Sequence, residues 1–256
     1  MHVMRNSDQS SMEASVTSSS ERVPHIEPLF DDQPFVANYS RLTRWFAKSD
    51  YEPLLEYTLK GVAHLDQPAV LELGPGPGWI AIFMAKRHAT MRVTGVDISD
   101  EFLQIADKNK VREGVGDRVT FVKGDAGQLH HWGEAAFDAV VSNQSLHYWD
   151  SPRLVLNEIA HVLKPGGIFC IGDDRRDLTF AARIAVGLGK WFLTPQVRRS
   201  WMASIAGCYT AREVEKLLND SELKGQWELR VFSRMVFAQG RVSALPANSS
   251  DFNATG

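Results

Sequence analysis

The chain has 256 residues, 44% of them hydrophobic and 23% charged, and a formal net charge of −3. These values suit one globular α/β domain with flexible ends. The small negative charge offers no general attraction for polyanions and argues against a nucleic-acid partner. No apolar run approaches the roughly 18 residues that a membrane span requires, and Cys170 and Cys208 are too far apart in sequence to suggest a disulfide scaffold or a metal site.

Residues 1–24 are polar and rich in serine. Such a segment cannot bury enough apolar surface to offset the entropy lost on ordering, so we expect a disordered tail. It has neither the apolar region of a secretion signal nor the arginine excess of a transit peptide, which predicts a cytoplasmic protein. Residues 242–256 are expected to form a second disordered tail, which leaves residues 25–241 as the folded domain.

Two helices are expected before the first strand. Phe35, Tyr39, Leu42 and Phe46 recur at helical spacing, which predicts a first helix with one apolar face. A second helix is predicted over residues 52–65.

The centre of the sequence is a strand, a glycine turn and a helix in succession. Residues 69–73 form a short apolar run, which is typical of a buried parallel strand. Gly74, Gly76 and Gly78 interrupt it, and residues 79–87 then form an apolar run of helical length. Glycines let a backbone approach a ligand closely, and a helix N-terminus offers unpaired N–H groups.

A second strand is predicted over residues 91–97, and it ends in Asp97, 19 residues beyond Gly78. A carboxylate at this position can accept hydrogen bonds from ribose hydroxyls, which indicates a nucleoside-binding βαβ unit. The turn of residues 74–78 does not follow the G-x-G-x-x-G pattern of pyrophosphate sites. The sequence therefore favours a nucleoside with a smaller, zwitterionic tail.

Five motifs in order, over about residues 68–174, resemble the class I S-adenosylmethionine-dependent methyltransferases. The likeness is nearest to their small-molecule branch, which includes quinone-biosynthesis and natural-product enzymes. The motifs are Glu72–Gly78, Gly95–Ser99, Phe121–Ala126, Phe137–Asn143 and Val162–Gly167. The resemblance implies a Rossmann-like, doubly wound α/β sheet with an antiparallel last strand, and S-adenosyl-L-methionine as the cofactor.

The resemblance also implies which residues bind the cofactor. Asp125 is expected to contact the adenine amino group, with a simple turn residue as the alternative. Ile98 is expected to pack on an adenine face, or else to be ordinary strand-end packing, and Tyr39 to close over the methionine end, or else to lie in the core. The full expected set is Tyr39, Glu72, Gly74, Gly76, Gly78, Asp97, Ile98, Asp125, Ala126 and Asn143.

Residues 143–149, after the fourth predicted strand, are dense in polar and aromatic side chains. Open α/β sheets bind ligands beyond the carboxyl ends of their strands, so this loop should border the site. It lacks the Asn-Pro-Pro-Tyr or Asp-Pro-Pro-Tyr signature of many DNA methyltransferases, which argues against a nucleobase amine as acceptor. His147 is the predicted catalytic residue, because an imidazole titrates near neutral pH and can act as a general base. Packing in an aromatic wall is the alternative.

A long helical and apolar insertion, residues 178–209, follows the fifth predicted strand, residues 168–172. We predict that the insertion is a substrate lid, with a structural extension or the face of a homodimer as the alternative. Thr210–Glu213 is a capping box that opens another helix. Residues 227–231 and 234–239 resemble the antiparallel pair that closes the family's sheet.

The predicted function is methyl transfer from S-adenosylmethionine to a small, partly apolar or aromatic molecule, without a metal. Two alternatives remain. One is a methyltransferase that acts on protein or RNA. The other is a partner subunit that binds the cofactor but transfers nothing.

Overall fold

The computed structural model describes residues 2–4, 22, 33–189 and 195–243. The strands in these ranges are β1 (His2–Met4), β2 (Ala69–Leu73), β3 (Arg92–Asp97), β4 (Val119–Lys123), β5 (Phe137–Asn143), β6 (Leu163–Asp174), β7 (Trp227–Val231) and β8 (Met235–Arg241). The α-helices are α1 (Gln33–Asp50), α2 (Glu52–Val62), α3 (Trp79–Arg87), α4 (Asp100–Arg112), α5 (Pro152–Val162), α6 (Phe180–Gly189), α7 (Pro195–Gly207) and α8 (Ala211–Asn219).

The strands form one sheet in the order β1-β7-β8-β6-β5-β2-β3-β4. Strands β6, β5, β2, β3 and β4 run parallel to one another, and β8, β7 and β1 continue the sheet through antiparallel pairs. The strand order reverses between β2 and β5, so their carboxyl ends flank the crevice in which open α/β sheets bind ligands. The predicted doubly wound sheet with an antiparallel end is confirmed.

Both faces of the central strands are covered by apolar clusters. In β2, Val70, Leu71 and Leu73 are all fully buried. Val70 packs with side chains of α2 and α3, whereas Leu71 and Leu73 pack on the other face with side chains of α5 and α8. This two-sided burial explains why the strand is a continuous apolar run rather than an alternating one.

Strand β6 begins at Leu163, earlier than the predicted start at residue 168. The N–H of Gly166 donates to the carbonyl of Val242 at 3.1 Å, and the N–H of Val242 donates to the carbonyl of Gly167 at 2.9 Å. These bonds draw the predicted Pro-Gly-Gly turn into the sheet. Val242 is also buried, so the folded domain extends past its predicted end.

Within the segment expected to be a disordered tail, His2–Met4 form β1 and pair with β7. An edge strand presents unpaired N–H and C=O groups, and a polar segment can pair with these through its backbone alone. Sequence composition does not register this kind of pairing. Residues 1, 5–21, 23–32, 190–194 and 244–256 lie outside the described ranges, and most of the two predicted tails falls among them.

The predicted insertion contains α6 and α7, and the predicted capping box follows it. The hydroxyl of Thr210 accepts the N–H of Glu213 at 3.2 Å, and the Glu213 carboxylate accepts the N–H of Thr210 at 2.8 Å. These bonds start α8. Neither the insertion helices nor any other helix in the described ranges is long and apolar enough to cross a membrane.

Candidate active site

The turn between β2 and α3 exposes its backbone at the crevice. Gly74, Gly76 and Gly78 have φ values of 64°, 51° and 80°, a region that residues with a side chain rarely adopt. A Cβ at Gly74 would lie 2.4 Å from the hydroxyl of Ser145, and one at Gly78 would lie 2.5 Å from the ring of Phe121. At Gly76 the nearest atom would be 3.9 Å away, so this part of the turn has room for a ligand.

Asp97 ends β3 and faces this turn. One of its carboxylate oxygens accepts the N–H of Gly76 at 3.0 Å, and the other accepts the N–H of Ser99 at 3.0 Å. Burial raises the pKa of Asp97, while these backbone hydrogen bonds oppose the rise. The carboxylate is therefore fixed at the strand end, and its remaining lone pairs can accept further hydrogen bonds.

Glu72 lies behind the turn and is 1% exposed. Its carboxyl group accepts the N–H of Ala81, in the first turn of α3, at 2.9 Å. Burial raises the pKa of Glu72 to about 8, and the nearby Asp97 charge adds to the rise. We name the two acids and the three glycines described so far the glycine-turn cluster: Glu72, Gly74, Gly76, Gly78 and Asp97.

The residues predicted to surround an adenine lie next to Asp97. Ile98 is 72% exposed. The N–H of Gly124 donates to the carbonyl of Asp97 at 3.0 Å, which places the next residues, Asp125 and Ala126, at the same strand end. Asp125 is exposed, and one of its oxygens accepts the N–H two residues on at 2.8 Å. Asp125 thus stabilises its own turn through one carboxylate oxygen. The other oxygen has no partner within that turn.

Two predicted residues approach the site from other elements. Tyr39 is half-buried in α1, and its ring meets the ring of Phe102 edge-on at a centroid distance of 5.8 Å. Asn143 ends β5 and is 8% exposed. Neither its amide nitrogen nor its amide oxygen has a hydrogen-bond partner among the described residues. A buried amide without partners is costly, so this one invites a ligand.

The chain then turns sharply out of β5. Gln144 has a φ of 55°, which is strained for a residue other than glycine, and its N–H donates to the carbonyl of Gly172 in β6 at 2.8 Å. Ser145 follows and lies against the first glycine of the turn. The 3-10 turn Leu146–Tyr148 comes next and carries His147, so His147 lies at the same sheet edge as the glycine-turn cluster.

His147 is 3% exposed and is held at both ring nitrogens. Its Nδ1 lies 2.8 and 2.9 Å from the two carboxylate oxygens of Asp173, at the end of β6, and its backbone N–H donates to the same carboxylate at 2.9 Å. Its Nε2 lies 2.9 Å from the hydroxyl of Ser204 in α7. A carboxylate only accepts, so Nδ1 carries a proton, and in the neutral imidazole Nε2 then accepts from the serine. These three residues are named the histidine cluster.

The histidine cluster adjoins Cys208. Potential metal-ligand atoms of His147, Asp173 and Cys208 lie within 4.8 Å of one another. The histidine and the aspartate are already bonded to each other, and the thiol donates to the carbonyl of Ser204 at 3.2 Å. Burial raises the pKa of the Cys208 thiol, which disfavours the thiolate that metals bind. The three side chains suit a hydrogen-bonded core better than a metal site.

Arg22 donates two hydrogen bonds to backbone carbonyls at the histidine cluster. Its Nε donates to the carbonyl of Gly207 at 2.7 Å, and its Nη2 donates to the carbonyl of His147 at 2.9 Å. Its guanidinium carbon lies 4.2 Å from the centre of the Tyr209 ring, a cation–π contact. A residue of the segment predicted to be a disordered tail therefore joins α7 to the loop that carries His147.

Sequence reasoning found His147 but missed its partners. Asp173 is the next-to-last residue of β6, whereas Asp97 is the last residue of β3, so a search for acids near strand ends would have proposed Asp173 and Asp174 together. Ser204 lies 57 residues after His147, inside a helix. No local spacing connects them. Arg22 lies in a polar segment whose composition gave no signal of order.

Comparisons with known proteins find methyltransferases among the similar sequences and folds. Residues 71–171 match the family model of a methyltransferase domain. Over 104 residues the chain is 38% identical to the 27-O-demethylrifamycin SV methyltransferase of Amycolatopsis mediterranei, covering 41% of this chain and 38% of that protein. Over 144 residues it is 30% identical to the ubiquinone biosynthesis O-methyltransferase of Paracidovorax citrulli, covering 53% of this chain and 59% of that protein.

The fold is also that of solved methyltransferases. The structure of an S-adenosylmethionine-dependent methyltransferase from Aquifex aeolicus superposes with a TM-score of 0.60 at 17% identity, over 82% of this chain and 98% of that one. Residues 71–171 thus resemble a methyltransferase domain, and the chain shares the fold of this solved methyltransferase. The chain spans less than two thirds of the length of either curated relative described above.

The residues present suit this cofactor. The open space at Gly76 accommodates a close backbone approach, as a ligand in the turn requires. Asp97 retains acceptor capacity beyond its two backbone bonds. The unpaired amide of Asn143 offers a buried donor and a buried acceptor next to the turn.

Proposed function

We propose that the protein transfers a methyl group from S-adenosylmethionine to an oxygen atom of a small, partly apolar or aromatic molecule. The observation that carries the proposal is the meeting of the glycine-turn cluster and the histidine cluster at one sheet edge. Ser145, two residues before His147, lies against Gly74. A nucleoside site beside an imidazole that a carboxylate orients can serve the methylation of a hydroxyl, since the imidazole can take the hydroxyl proton. The relative from Paracidovorax citrulli is named an O-methyltransferase. The relative from Amycolatopsis mediterranei is named for a substrate that lacks a methyl group at an oxygen position.

The cofactor would lie along the glycine-turn cluster. Asp97 would accept the ribose hydroxyls, and the exposed side chain of Ile98 would cover an adenine face. The second carboxylate oxygen of Asp125 would accept the adenine amino group, with Ala126 beside it. Tyr39, on α1, would close over the methionine end.

Two further residues would complete the cofactor site. The amide of Asn143 is buried and has no partner in the described ranges, so it would donate to or accept from the charged methionine end. Glu72 would have a structural role rather than contact the cofactor, since its hydrogen bond to the N–H of Ala81 holds α3 against the turn.

The chain's own residues would align the acceptor and remove one proton. When bound, the cofactor supplies an electrophilic methyl group on a sulfonium and leaves as a neutral thioether. His147 would take the acceptor's proton at Nε2, and a base in this position contributes typically 10²–10⁴-fold. The bond from Nδ1–H to Asp173 fixes the tautomer and stabilises the imidazolium that forms. The His147–Asp173 pair also argues against the alternative that the protein is a partner subunit that binds the cofactor but transfers nothing.

The insertion would supply the acceptor's surroundings. On α6, Phe180, Ile184 and Leu188 recur every four residues and are 79%, 49% and 62% exposed. Such an apolar helix face suits a lid over an apolar acceptor, whereas a net charge of −3 gives no attraction for nucleic acid. The alternative for this face is a homodimer. Light scattering that finds a monomer at assay concentration would remove that alternative.

The test is a transfer assay with the full chain. Labelled S-adenosylmethionine is offered with a panel of phenols, catechols and sugar hydroxyls, and with amine and thiol analogues of the same molecules. We expect transfer to a hydroxyl compound, inhibited by S-adenosylhomocysteine. A chain that binds S-adenosylhomocysteine in calorimetry yet methylates nothing in the panel would favour the partner-subunit alternative. Transfer to protein or RNA alone would favour the other.

A further inference from the structure

The hydroxyl of Ser204 occupies the Nε2 edge of His147. The distance is 2.9 Å, and with Nδ1 protonated the serine O–H is the donor. A serine inside a helix commonly bonds to the backbone carbonyl four residues earlier. Ser204 instead reaches a side chain 57 residues away, on another element. The bond therefore serves the imidazole rather than the helix.

Burial decides which member of the histidine cluster an acceptor can reach. His147 is 3% exposed and Asp173 is 1% exposed. Ser204 is half-buried and retains exposed surface. The ring of Tyr148 lies 4.0 Å from the ring of His147, centre to centre, and covers it further. Of the three residues, Ser204 is therefore the one that retains surface for an acceptor hydroxyl to contact.

We propose that Ser204 is a proton-relay residue, through which the acceptor's proton reaches His147. The inference rests on the proposed function. The acceptor O–H donates to Ser204 Oγ while the Ser204 O–H donates to Nε2. As the acceptor oxygen would bond to the methyl carbon and the methyl–sulfur bond of the cofactor would break, the acceptor's proton moves to Ser204 Oγ and the original serine proton moves to Nε2. The serine ends as a neutral hydroxyl and the imidazole as an imidazolium beside Asp173, so one proton is gained by His147 and one lost by the acceptor.

The relay makes the insertion part of the reaction. Ser204 belongs to α7, within residues 178–209, whereas His147 belongs to the loop after β5. Proton removal is complete only when α7 lies against that loop. Transfer is thereby tied to the position of the helix that also borders the acceptor.

The first test examines the hydrogen bond in the free protein, without cofactor or acceptor. ¹⁵N NMR of the His147 ring should show a protonated Nδ1 and an unprotonated Nε2 that accepts a hydrogen bond. In Ser204→Ala the Nε2 resonance should move toward that of an imidazole nitrogen with no donor, and in Ser204→Thr it should stay near wild type. An unchanged Nε2 resonance in Ser204→Ala overturns the proposal.

The second test measures turnover with the best hydroxyl acceptor of the panel. Ser204→Ala should lower kcat at least roughly tenfold, since it disables a base worth about 10²–10⁴-fold, while KM and S-adenosylhomocysteine affinity stay within about threefold of wild type. Ser204→Thr should restore most of the rate, and Ser221→Ala, a half-buried serine bonded to the Leu218 carbonyl, is the matched control. In H₂O–D₂O mixtures the wild-type rate should depend on two exchanging protons, and the Ser204→Ala rate on one.

The outcomes separate the two proposals. A wild-type chain without transfer to any hydroxyl overturns the proposed function and the relay with it. An active wild type with an equally active or faster Ser204→Ala variant overturns the relay alone. In that case Ser204 only fills the space next to His147.

Discussion

The glycine-turn cluster and the histidine cluster lie at the same sheet edge but are built in different ways. In the glycine-turn cluster the carboxylates bond to backbone N–H groups, and the link between Gly76 and Asp97 spans 21 residues. In the histidine cluster side chains bond to one another, and the links from His147 span 26 residues to Asp173 and 57 to Ser204. The first is a local feature of one βαβ unit, and the second is assembled by the whole sheet.

The difference has a functional consequence that can be tested. If the glycine-turn cluster binds the cofactor and the histidine cluster handles the acceptor's proton, changes in one should leave the other's measurement alone. Cofactor affinity reports on the first cluster, and turnover at saturating cofactor reports on the second. A substitution that moves both measurements would break the division.

The largest effect is expected in the histidine cluster. His147→Asn should lower turnover at least about hundredfold, because a general base contributes typically 10²–10⁴-fold. The affinity for S-adenosylhomocysteine should not change. His131→Asn is the matched control, since His131 is exposed and its Nδ1 bonds to the carbonyl of Gln128 in the neighbouring turn. A His147→Asn rate within a few-fold of wild type would make this residue part of the pocket wall.

Asp97→Ala tests the glycine-turn cluster. Loss of the carboxylate should weaken S-adenosylhomocysteine binding by about 1.5–3 kcal/mol for each charged hydrogen bond removed. Calorimetry measures the change, and circular dichroism checks that the variant is folded. Asp100→Ala is the control, because that nearby acid forms an exposed ion pair with Lys123. Equal affinities for wild type and a folded Asp97→Ala would remove Asp97 from the cofactor site.

The way each cluster is built also explains how much of it the sequence predicts. The bounds of β2 and α3 are those predicted. The prediction succeeded because both elements and the three glycines between them lie within 19 consecutive residues. Asp97 follows from a fixed distance along the chain. Ser204 has no such relation to His147, since the length and path of the intervening strand and helices decide whether they meet.

The fold shows the same limit at its edges. The parallel strands were predicted because burial on both faces requires continuous apolar runs. Strand β1 was not predicted, because an edge strand pairs through its backbone N–H and C=O groups, which the pattern of side chains in the sequence does not reveal. The early start of β6 at Leu163 was also missed, since a Pro-Gly-Gly sequence favours a turn locally and only the neighbouring Val242 backbone pulls it into the sheet.

An effect on the pH dependence of stability is expected at Glu72. Its folded pKa is about 8 against an ordinary value of 4.5, so the folded state retains a proton that the unfolded state releases between these values. The contribution of Glu72 to stability is complete below pH 4.5 and is lost as the pH rises to about 8, by at most about 1.4 kcal/mol per pH unit. Calorimetric melting from pH 5 to 8.5 should show this fall in wild type.

Glu72→Gln should flatten the fall, because an amide keeps an acceptor for the N–H of Ala81 but does not ionise. Asp174→Asn is the comparison. Burial raises the pKa of Asp174 to about 6, so its substitution should flatten only the part below that pH. A Glu72→Gln variant that loses stability as steeply as wild type between pH 6 and 8 would show that other groups cause the dependence.

The smallest effect is expected at Arg22, and it sharpens the division between the clusters. Arg22→Ala removes two hydrogen bonds to the carbonyls of Gly207 and His147, which should cost about 1 kcal/mol of stability and lower turnover several-fold through a looser α7. Arg22→Lys should be intermediate, because an ammonium can stay over the Tyr209 ring but cannot donate as a planar fork. Arg153→Ala, at an exposed arginine of α5, is the control. Cofactor affinity should be equal in all four proteins, and a loss of affinity in Arg22→Ala that matches its loss of turnover would show that this arginine serves both clusters.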